Sequence, residues 1–144
     1  MPLSAAGYSK RSLPDKLGYK AGQAALFIAL PPELEELARA VSFRLVERGA
    51  GWSEPPSPRS FDLIHAFTTA KGELDQHLIG LQKALRPDGM IWVSWPKKAA
   101  KVATDVTEDR VRDAALKLDL VDVKVAAVDE VWSGLKLVIR RERR

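Results

Sequence analysis

The sequence contains no cysteine, which excludes disulfide bonds, thiolate zinc sites, iron–sulfur clusters and cysteine nucleophiles. Its only two histidines, His65 and His77, do not have the spacing of a metal-binding pair. The sequence also lacks a G-x-S-x-G nucleophile motif, a phosphate-binding loop and an H-E-x-x-H motif. We therefore predict no metal ion, no cofactor and no catalytic residue. The lack of cysteine suits a reducing compartment.

Long apolar runs are missing as well. The best one covers residues 24–30, far fewer than the roughly 20 residues that span a bilayer. Residues 1–12 contain no apolar core of the kind found in a signal peptide. We therefore expect a protein that is neither exported nor membrane-spanning and that resides in the cytoplasm.

The composition is that of an ordinary folded chain, with 46% hydrophobic and 29% charged residues. A length of 144 residues suits one domain with a substantial core. We expect residues 1–22 to be a lead-in segment that packs on the domain, residues 23–140 to form the domain itself, and residues 141–144 to be a basic tail.

The formal net charge of +4 comes largely from the two ends of the chain. The cations there are Lys10, Arg11, Lys16 and Lys20 at the start and Arg140, Arg141, Arg143 and Arg144 at the finish. Basic ends can hold nucleic acid through counterion release, but a binding footprint needs cations gathered on one face. Short charge runs at termini are usually solvated, so nucleic-acid association is the weakest of our functional hypotheses.

The apolar run at residues 24–30 predicts a strand that is covered on both faces, and residues 61–68 are apolar enough for an interior strand. Further strands are predicted at residues 41–47 and 90–95. Between them, Pro31 and Pro32 begin a short helix, and leucines recur at helical spacing from Leu74 to Leu85. Thr107 is the predicted N-cap of a further helix. Residues 121–125 and 135–139 then alternate between apolar and polar, which predicts two half-exposed strands. This order predicts a single α/β domain whose mostly parallel sheet ends in an antiparallel pair.

Two segments resemble the S-adenosylmethionine-dependent methyltransferases, whose fold is Rossmann-like. Phe61-Asp62-Leu63-Ile64 enters a central strand, and Leu85-Arg86-Pro87-Asp88-Gly89-Met90-Ile91 leads into the next one, as in the C-terminal half of that fold. The resemblance implies a methyltransferase-like Rossmann domain.

Most of the chain is also similar to a family of small bacterial proteins of unknown function. The segments that carry this similarity are Ala6-Gly7-Tyr8-Ser9, Lys16-Leu17-Gly18, Trp95-Pro96-Lys97-Lys98, Ala103-Thr104-Asp105 and residues 128–135 (Val-Asp-Glu-Val-Trp-Ser-Gly-Leu). That family implies no established activity.

The chain departs from the methyltransferase pattern after its first strand. There the pattern has a glycine-rich turn, because glycine lets the backbone approach the cofactor and leaves its N–H donors unobstructed. Here the turn is Leu30-Pro31-Pro32-Glu33, in which two prolines remove two donors. Glu47, near the end of the second predicted strand, stands where nucleotide-binding folds use an acid to hold ribose hydroxyls. Without the glycine turn it is only a weak candidate for cofactor binding, and a surface role is favoured.

The carboxyl ends of the strands are the best place to look for a ligand site in an open α/β sheet. The residues expected there as candidate ligand contacts are Thr68, Thr69, Ser94, Trp95, Lys97 and Lys98, with Lys71 beside them. Their hydroxyls, indole and ammonium groups suit an anionic or aromatic ligand. The alternative, which we favour, is that Trp95 packs under the lead-in segment and the lysines are solvated.

The leading hypothesis is therefore a noncatalytic, methyltransferase-like domain that binds a protein partner or a small ligand at the strand ends. The second hypothesis is an enzyme with an altered nucleotide or S-adenosylmethionine-type site at the same edge. The sequence does not indicate the partner or the oligomeric state.

Replacing Pro31 and Pro32 with glycine should not create cofactor binding. Glycine restores two donors, but Glu33, Glu35 and Glu36 still oppose a carboxylate at the helix start. The change should also lower the free energy of unfolding by about 1 kcal/mol per site, through added entropy of the unfolded chain. Calorimetry with S-adenosylmethionine checks this expectation, and tight binding by the double variant would contradict it.

Overall fold

Six strands form one sheet in the computed structural model, which describes residues 12–54 and 56–144. The strands are β1 (Ala24–Ile28), β2 (Leu45–Gly49), β3 (Phe61–Phe67), β4 (Leu85–Pro96), β5 (Leu120–Ala127) and β6 (Trp132–Ile139). The α-helices are α1 (Leu13–Lys16), α2 (Lys71–Ala84) and α3 (Glu108–Leu116). Three 3-10 segments cover Pro32–Arg39, Lys98–Ala100 and Arg141–Arg143. The segment Ala6-Gly7-Tyr8-Ser9 and the cations Lys10 and Arg11 lie outside the described residues.

The strand order is β2-β1-β3-β4-β6-β5. Strands β2, β1, β3 and β4 pair in parallel, β6 is antiparallel to β4, and β5 is antiparallel to β6. The predicted fold class is therefore confirmed: one α/β domain with a mostly parallel sheet that ends in an antiparallel pair. Because β5 runs in the same direction as β1, β3 and β4, the carboxyl ends of all four strands lie along one edge, which we call the carboxyl edge.

The two faces of the sheet carry different covers, and side chains alternate between them because successive residues of a strand point to opposite faces. On the helix face, α2 and α3 pack on Ile64, Val93 and Leu135. On the opposite face, which we call the lead-in face, Leu17 and Tyr19 belong to a cluster with strand and 3-10 residues. The strand residues of that cluster include Phe27, Leu63, Phe67 and Trp92, and the 3-10 residues include Leu34 and Leu37.

Several predicted boundaries were wrong. The second strand covers Leu45–Gly49 rather than 41–47, since the chain first bends around the start of β1. In that bend the Gly22 amide donates to the Ser42 carbonyl and the Arg44 amide donates to the Gln23 carbonyl, both at 2.9 Å. Leu85 shares the buried side of α2 but begins β4, because its backbone is already extended (ψ 136°).

The helix after β1 also differs from the expectation of an ordinary short helix. It is a 3-10 segment with a kink at Leu34, and its N-cap, Pro31, has no capping side chain. By contrast, the N-cap prediction for α3 is confirmed, because the Arg110 amide donates to Thr107 Oγ1 at 3.2 Å. Among the described residues, no helix has the length and apolar character needed to cross a membrane.

The residues predicted as a basic tail make contacts with the rest of the chain. Arg143 Nε lies 3.3 Å from the Asp119 carboxylate, and Arg140 Nη2 lies 3.8 Å from it. The Arg144 guanidinium donates to the Ile139 carbonyl at 2.7 Å. The cations at this end are thus partly neutralised by the chain itself.

Candidate functional site

The crevice of interest lies where the order of the strands reverses. Strands β1 and β3 are neighbours, but the chain continues from β1 to β2 on one side and from β3 to β4 on the other, so it leaves the two strands in opposite directions. In open α/β sheets, ligands bind in the crevice outside the carboxyl ends at such a point. Here that point lies between Ile28, the last residue of β1, and Phe67, the last residue of β3. We call it the switch-point crevice.

The indole of Trp52 occupies the helix-face side of this crevice. Trp52 comes from the loop that follows β2, yet only 3% of its surface is exposed. Its Nε1 donates to the carbonyl oxygen of Phe67 at 2.8 Å. The ring belongs to the same apolar cluster as Leu26, Ile28 and Ala66. A ligand that used the Phe67 carbonyl would therefore have to displace this indole.

A second tryptophan closes the lead-in face of the same strand end. The ring of Trp132 packs edge-on against the Phe67 ring, with 5.3 Å between the centroids. The loop before Trp132 is held by Asp129, whose carboxylate accepts from the amides of Val131 (2.9 Å) and Trp132 (2.7 Å). Phe67 is thus enclosed by aromatic side chains on both faces of the sheet.

The turn after β1 has no glycine, and the chain itself uses two of the backbone amides in and just after it. Ala29 adopts a left-handed conformation (φ 55°), and its amide donates to the Gly49 carbonyl at 2.9 Å. Pro31 is buried. The amide of Leu34 donates to the Pro31 carbonyl at 2.9 Å, so it is used inside the turn.

The charge at this turn is lower than its three glutamates suggest. Glu35 forms a bidentate pair with Arg48 and a further contact with Arg39 at 3.3 Å. The hydrogen bond from Arg48 is the main reason why the pKa of Glu35 lies below its usual value. Glu33 and Glu36 form no ion pair with the described residues. The expected repulsion of a cofactor carboxylate therefore depends mainly on these two side chains.

The start of α2 is occupied by the chain's own acids. The Asp105 carboxylate accepts from the Lys71 amide at 2.7 Å, where an anionic ligand would meet the helix N-terminus. Thr68, which is buried, donates its hydroxyl to the Glu73 carboxylate. Thr69 is exposed, and its carbonyl accepts from the Thr104 hydroxyl at 2.8 Å. These contacts account for the polar groups of Thr68 without a ligand.

Ser94 lies on the lead-in face, away from the Thr68 side chain. It is fully buried, and its hydroxyl is hydrogen-bonded to His65 Nε2 at 2.8 Å. His65 Nδ1 is in turn hydrogen-bonded to the Tyr19 hydroxyl at 2.6 Å. Burial lowers the pKa of His65 to about 3 and raises the pKa of Tyr19 well above its ordinary value. The three side chains therefore form a neutral chain of hydrogen bonds that ties the lead-in segment to the sheet.

Trp95 lies on the helix face, so our expectation that it packs under the lead-in segment was wrong. The tryptophan that does so is Trp92, whose Nε1 donates to the Leu17 carbonyl at 2.7 Å. The two tryptophans lie on opposite faces of the sheet because side chains alternate along β4. Trp95 lies on the helix face with Ile91 and Val93, whereas Trp92 lies on the lead-in face.

Two depressions adjoin the candidate lysines. A depression of about 480 Å³ is lined by Trp95, Lys98, Thr104 and Thr107, among others. A shallower one of about 1200 Å³ is lined by Lys97 and the connection 127–131. The Lys97 amide donates to the Val131 carbonyl at 2.7 Å, which fixes the strand end between them. The structure thus brings Lys97 and Lys98 to the carboxyl edge but buries Ser94 elsewhere.

Glu47 lies in the middle of β2, with Leu26 of β1 as its register neighbour. It lines a groove of about 620 Å³ together with Glu54, Arg48, Gly49 and Gly51. This groove is beside the loop that carries Trp52. Within residues 12–54 and 56–144, no set of three His, Asp or Glu side chains is arranged to hold a metal ion.

Three features at this edge were missed by the sequence analysis: the Trp52 indole, the Asp105 carboxylate on α2 and the Tyr19 partner of His65. The only signal for Trp52 was a large aromatic residue in a loop of glycine, serine and proline. Tyr19 and His65 are 46 positions apart, so nothing local connects them.

The free energy of unfolding should fall as the pH is lowered from about 7 to about 3, because of His65. Unfolded His65 binds a proton near pH 6.5, whereas folded His65 stays neutral down to about pH 3. The unfolded state therefore binds more protons in that window, which is worth roughly 3 to 5 kcal/mol over its full width.

Denaturant melts of wild type and His65→Gln across this pH range measure the effect. Glutamine can still hydrogen-bond but does not titrate, so His65→Gln should show a flatter dependence on pH. His77→Gln, at a partly exposed position on α2, is the control and should keep the wild-type slope. Equal slopes for wild type and His65→Gln would show that His65 is not held neutral.

Comparisons with known proteins agree with this architecture. The model of the family "Protein of unknown function (DUF3052)" matches residues 62–141. No curated protein matches the chain.

Solved structures with a similar fold are S-adenosylmethionine-dependent methyltransferases and related proteins. An Aquifex aeolicus enzyme of this class aligns at TM-score 0.59 and 14% identity, covering 87% of this chain and 86% of its own. A TehB-like methyltransferase from Corynebacterium glutamicum aligns at TM-score 0.58 and 14% identity, covering 89% and 85%. The cyclase SpnF aligns at TM-score 0.62 and 9% identity, covering 87% and 77%. At these identities the similarity shows the methyltransferase-like fold alone.

Proposed function

Because this chain belongs to the DUF3052 family of proteins of unknown function and has a methyltransferase-like fold, we propose that it is a noncatalytic domain that acts by binding. The observation that carries this proposal is the closed switch-point crevice. There the Trp52 indole, 3% exposed, donates to the Phe67 carbonyl at 2.8 Å, where a bound ligand would be expected.

The helix starts around the crevice support the same conclusion. A cofactor with a carboxylate binds best where free backbone N–H donors and positive charge are available. Pro31 and Pro32 supply no N–H group, and the Asp105 carboxylate already accepts from the first amide of α2. Adding a second anion near Asp105 would bring two negative charges together, which costs free energy.

The binding surface that we propose is the outer part of the carboxyl edge. Thr69 and Lys98 are exposed there, Lys97 is partly exposed, and depressions of about 480 and 1200 Å³ adjoin the two lysines. Thr68, Ser94 and Trp95 are buried and act as its support, since their polar groups or rings are packed within the domain. A protein segment or small ligand carrying negative charge fits these lysines best.

An altered small-molecule site is the second candidate, and the groove beside Glu47 favours it. The groove has a volume of about 620 Å³ and contains two carboxylates, Glu47 and Glu54, that form no ion pair with the described residues. Carboxylates next to partly exposed glycine backbone suit a ligand with hydroxyl or amino groups. The similarity to both methyltransferases and a cyclase leaves the chemistry of such a site open, because a fold does not determine an activity.

The noncatalytic proposal predicts that wild type does not bind S-adenosylmethionine or S-adenosylhomocysteine. Calorimetry and thermal melts at millimolar ligand should show neither heat of binding nor a rise in melting temperature, since only a ligand that binds the folded state raises it. Micromolar binding of either compound would contradict the proposal.

Trp52→Ala tests whether the indole itself closes the crevice. The variant should lose about 3 to 5 kcal/mol of stability and regain part of it when free indole is added, because a dry apolar cavity binds a ligand of its own shape. Trp132→Ala, which removes a partly buried indole from the opposite face, is the matched control and should gain less from indole. An equal response of the two variants would show that Trp52 does not occupy a defined cavity. Trp52→Leu replaces Trp52→Ala if the latter does not fold.

A further inference from the structure

Residues 12–54 and 56–144 cover the lead-in face of β5 and β6 only in part, unlike the helix face of the same strands. On the helix face, α3 packs against both strands. On the lead-in face lie Val121, Lys124 and Ala126 of β5 and Trp132, Lys136 and Val138 of β6, of which Ala126 and Trp132 also pack against the lead-in cluster. All six are partly exposed, and no described helix covers them. We call these six residues the β5–β6 face.

Three lysines come together at this face, and no carboxylate in the described part of the chain pairs with them. Lys124 and Lys136 are register partners, so their side chains stand next to each other on one side of the sheet. Lys20, from the lead-in segment, is close enough for its charge to act on Lys136. None of the three forms an ion pair with a described residue, whereas Arg44, Arg48, Arg86 and Arg112 all do.

This arrangement is unfavourable in the isolated chain. Like charges directly opposite each other on neighbouring strands destabilise a sheet. Burial, together with the positive charges of Lys124 and Lys20, lowers the pKa of Lys136 below its usual value. A partner that brought carboxylates to the three ammonium groups would remove this repulsion.

We propose that the β5–β6 face, with Lys20, docks an amphipathic helix of a protein partner that carries acidic residues beside an apolar stripe. Valines flank the lysines on both strands, so the surface offers apolar contact and positive charge together. A helix is the element that covers the face of a sheet in α/β folds, as α3 does on the other side of these two strands. This inference does not depend on whether the switch-point crevice is closed.

The β5–β6 face with Lys20 is not the basic nucleic-acid-binding surface that the chain termini suggested. Arg140 and Arg143 lie beside Asp119, and Arg144 is engaged with the Ile139 carbonyl. The cations that gather on one face are instead lysines on strands and on the lead-in segment. Apolar side chains beside them suit a protein surface better than a chain of phosphates, which has no apolar stripe to bury.

The test uses the full chain and three probes. The first is a synthetic helical peptide with leucines on one face flanked by glutamates, the second is the same peptide with glutamine at each glutamate, and the third is a single-stranded thymidine oligonucleotide. We expect the glutamate peptide to bind about tenfold more tightly than the glutamine peptide, and its affinity to fall as salt is raised.

The double variant Lys124→Gln/Lys136→Gln should bind the glutamate peptide about tenfold more weakly, without a lower melting temperature, because the repulsion between the lysines is gone. Lys83→Gln/Lys117→Gln removes two exposed lysines from α2 and the end of α3 and should bind like wild type. If the first double variant does not fold, Lys20→Gln, at an exposed position, should still weaken binding by a measurable factor.

Three results would overturn the proposal. The first is equal affinity of wild type for the glutamate and glutamine peptides. The second is equal affinity of wild type and the Lys124→Gln/Lys136→Gln variant for the glutamate peptide. The third is binding of the oligonucleotide alone, lost in the same variant, which would assign this surface to a nucleic-acid partner.

Discussion

The hydrogen bond from Trp52 Nε1 to the Phe67 carbonyl is the contact on which the interpretation of this protein depends. It links the loop after β2 to the end of β3, and so it closes the place where the order of the strands reverses. The carbonyl of a terminal strand residue has no further ladder partner, and a buried carbonyl without one would cost about 1 to 3 kcal/mol. The indole supplies the missing donor and covers the surrounding apolar surface at the same time.

Along the rest of the carboxyl edge, too, the chain itself satisfies polar groups that a ligand could use. The Asp105 carboxylate accepts from the first amide of α2, the Glu73 carboxylate accepts from the Thr68 hydroxyl, and the Asp129 carboxylate accepts from the amides of Val131 and Trp132. On the lead-in face, His65 is kept neutral between Tyr19 and Ser94. What remains available lies further out, at Thr69, Lys97 and Lys98. The lysines of the β5–β6 face are the clearest case of charge that the fold leaves unpaired.

The fold was largely predictable because its signals are local. Continuous apolar runs such as residues 61–67 mark strands that are covered on both faces, and the leucines of α2 recur at helical spacing. The boundary errors occurred where tertiary contacts decide. The chain at 41–44 bends to meet Gly22 and Gln23, and Leu85 leaves the helix to pair with Phe61.

The candidate site was harder to predict, because neighbours in space are distant in sequence. The sequence places Ser94 and Thr68 at adjacent strand ends, but the alternation of β4 sends the Ser94 side chain to the opposite face. Trp92 and Trp95 were open to confusion for the same reason, since a shift of one position on a strand changes the face. The role of Trp52 depends on a carbonyl 15 residues away and on the loop that carries it there, which no periodicity reports.

The most direct test is hydrogen exchange at the indole N–H of Trp52, followed by NMR on nitrogen-15-labelled protein with and without saturating S-adenosylhomocysteine. A buried indole bonded to the Phe67 carbonyl should exchange slowly, and its resonance should not move when the compound is added. The N–H of Trp132, which is buried but has no hydrogen-bond partner among the described residues, provides an internal comparison in the same spectrum. Fast exchange at Trp52, or a shift of its resonance on addition of the compound, would contradict a closed crevice.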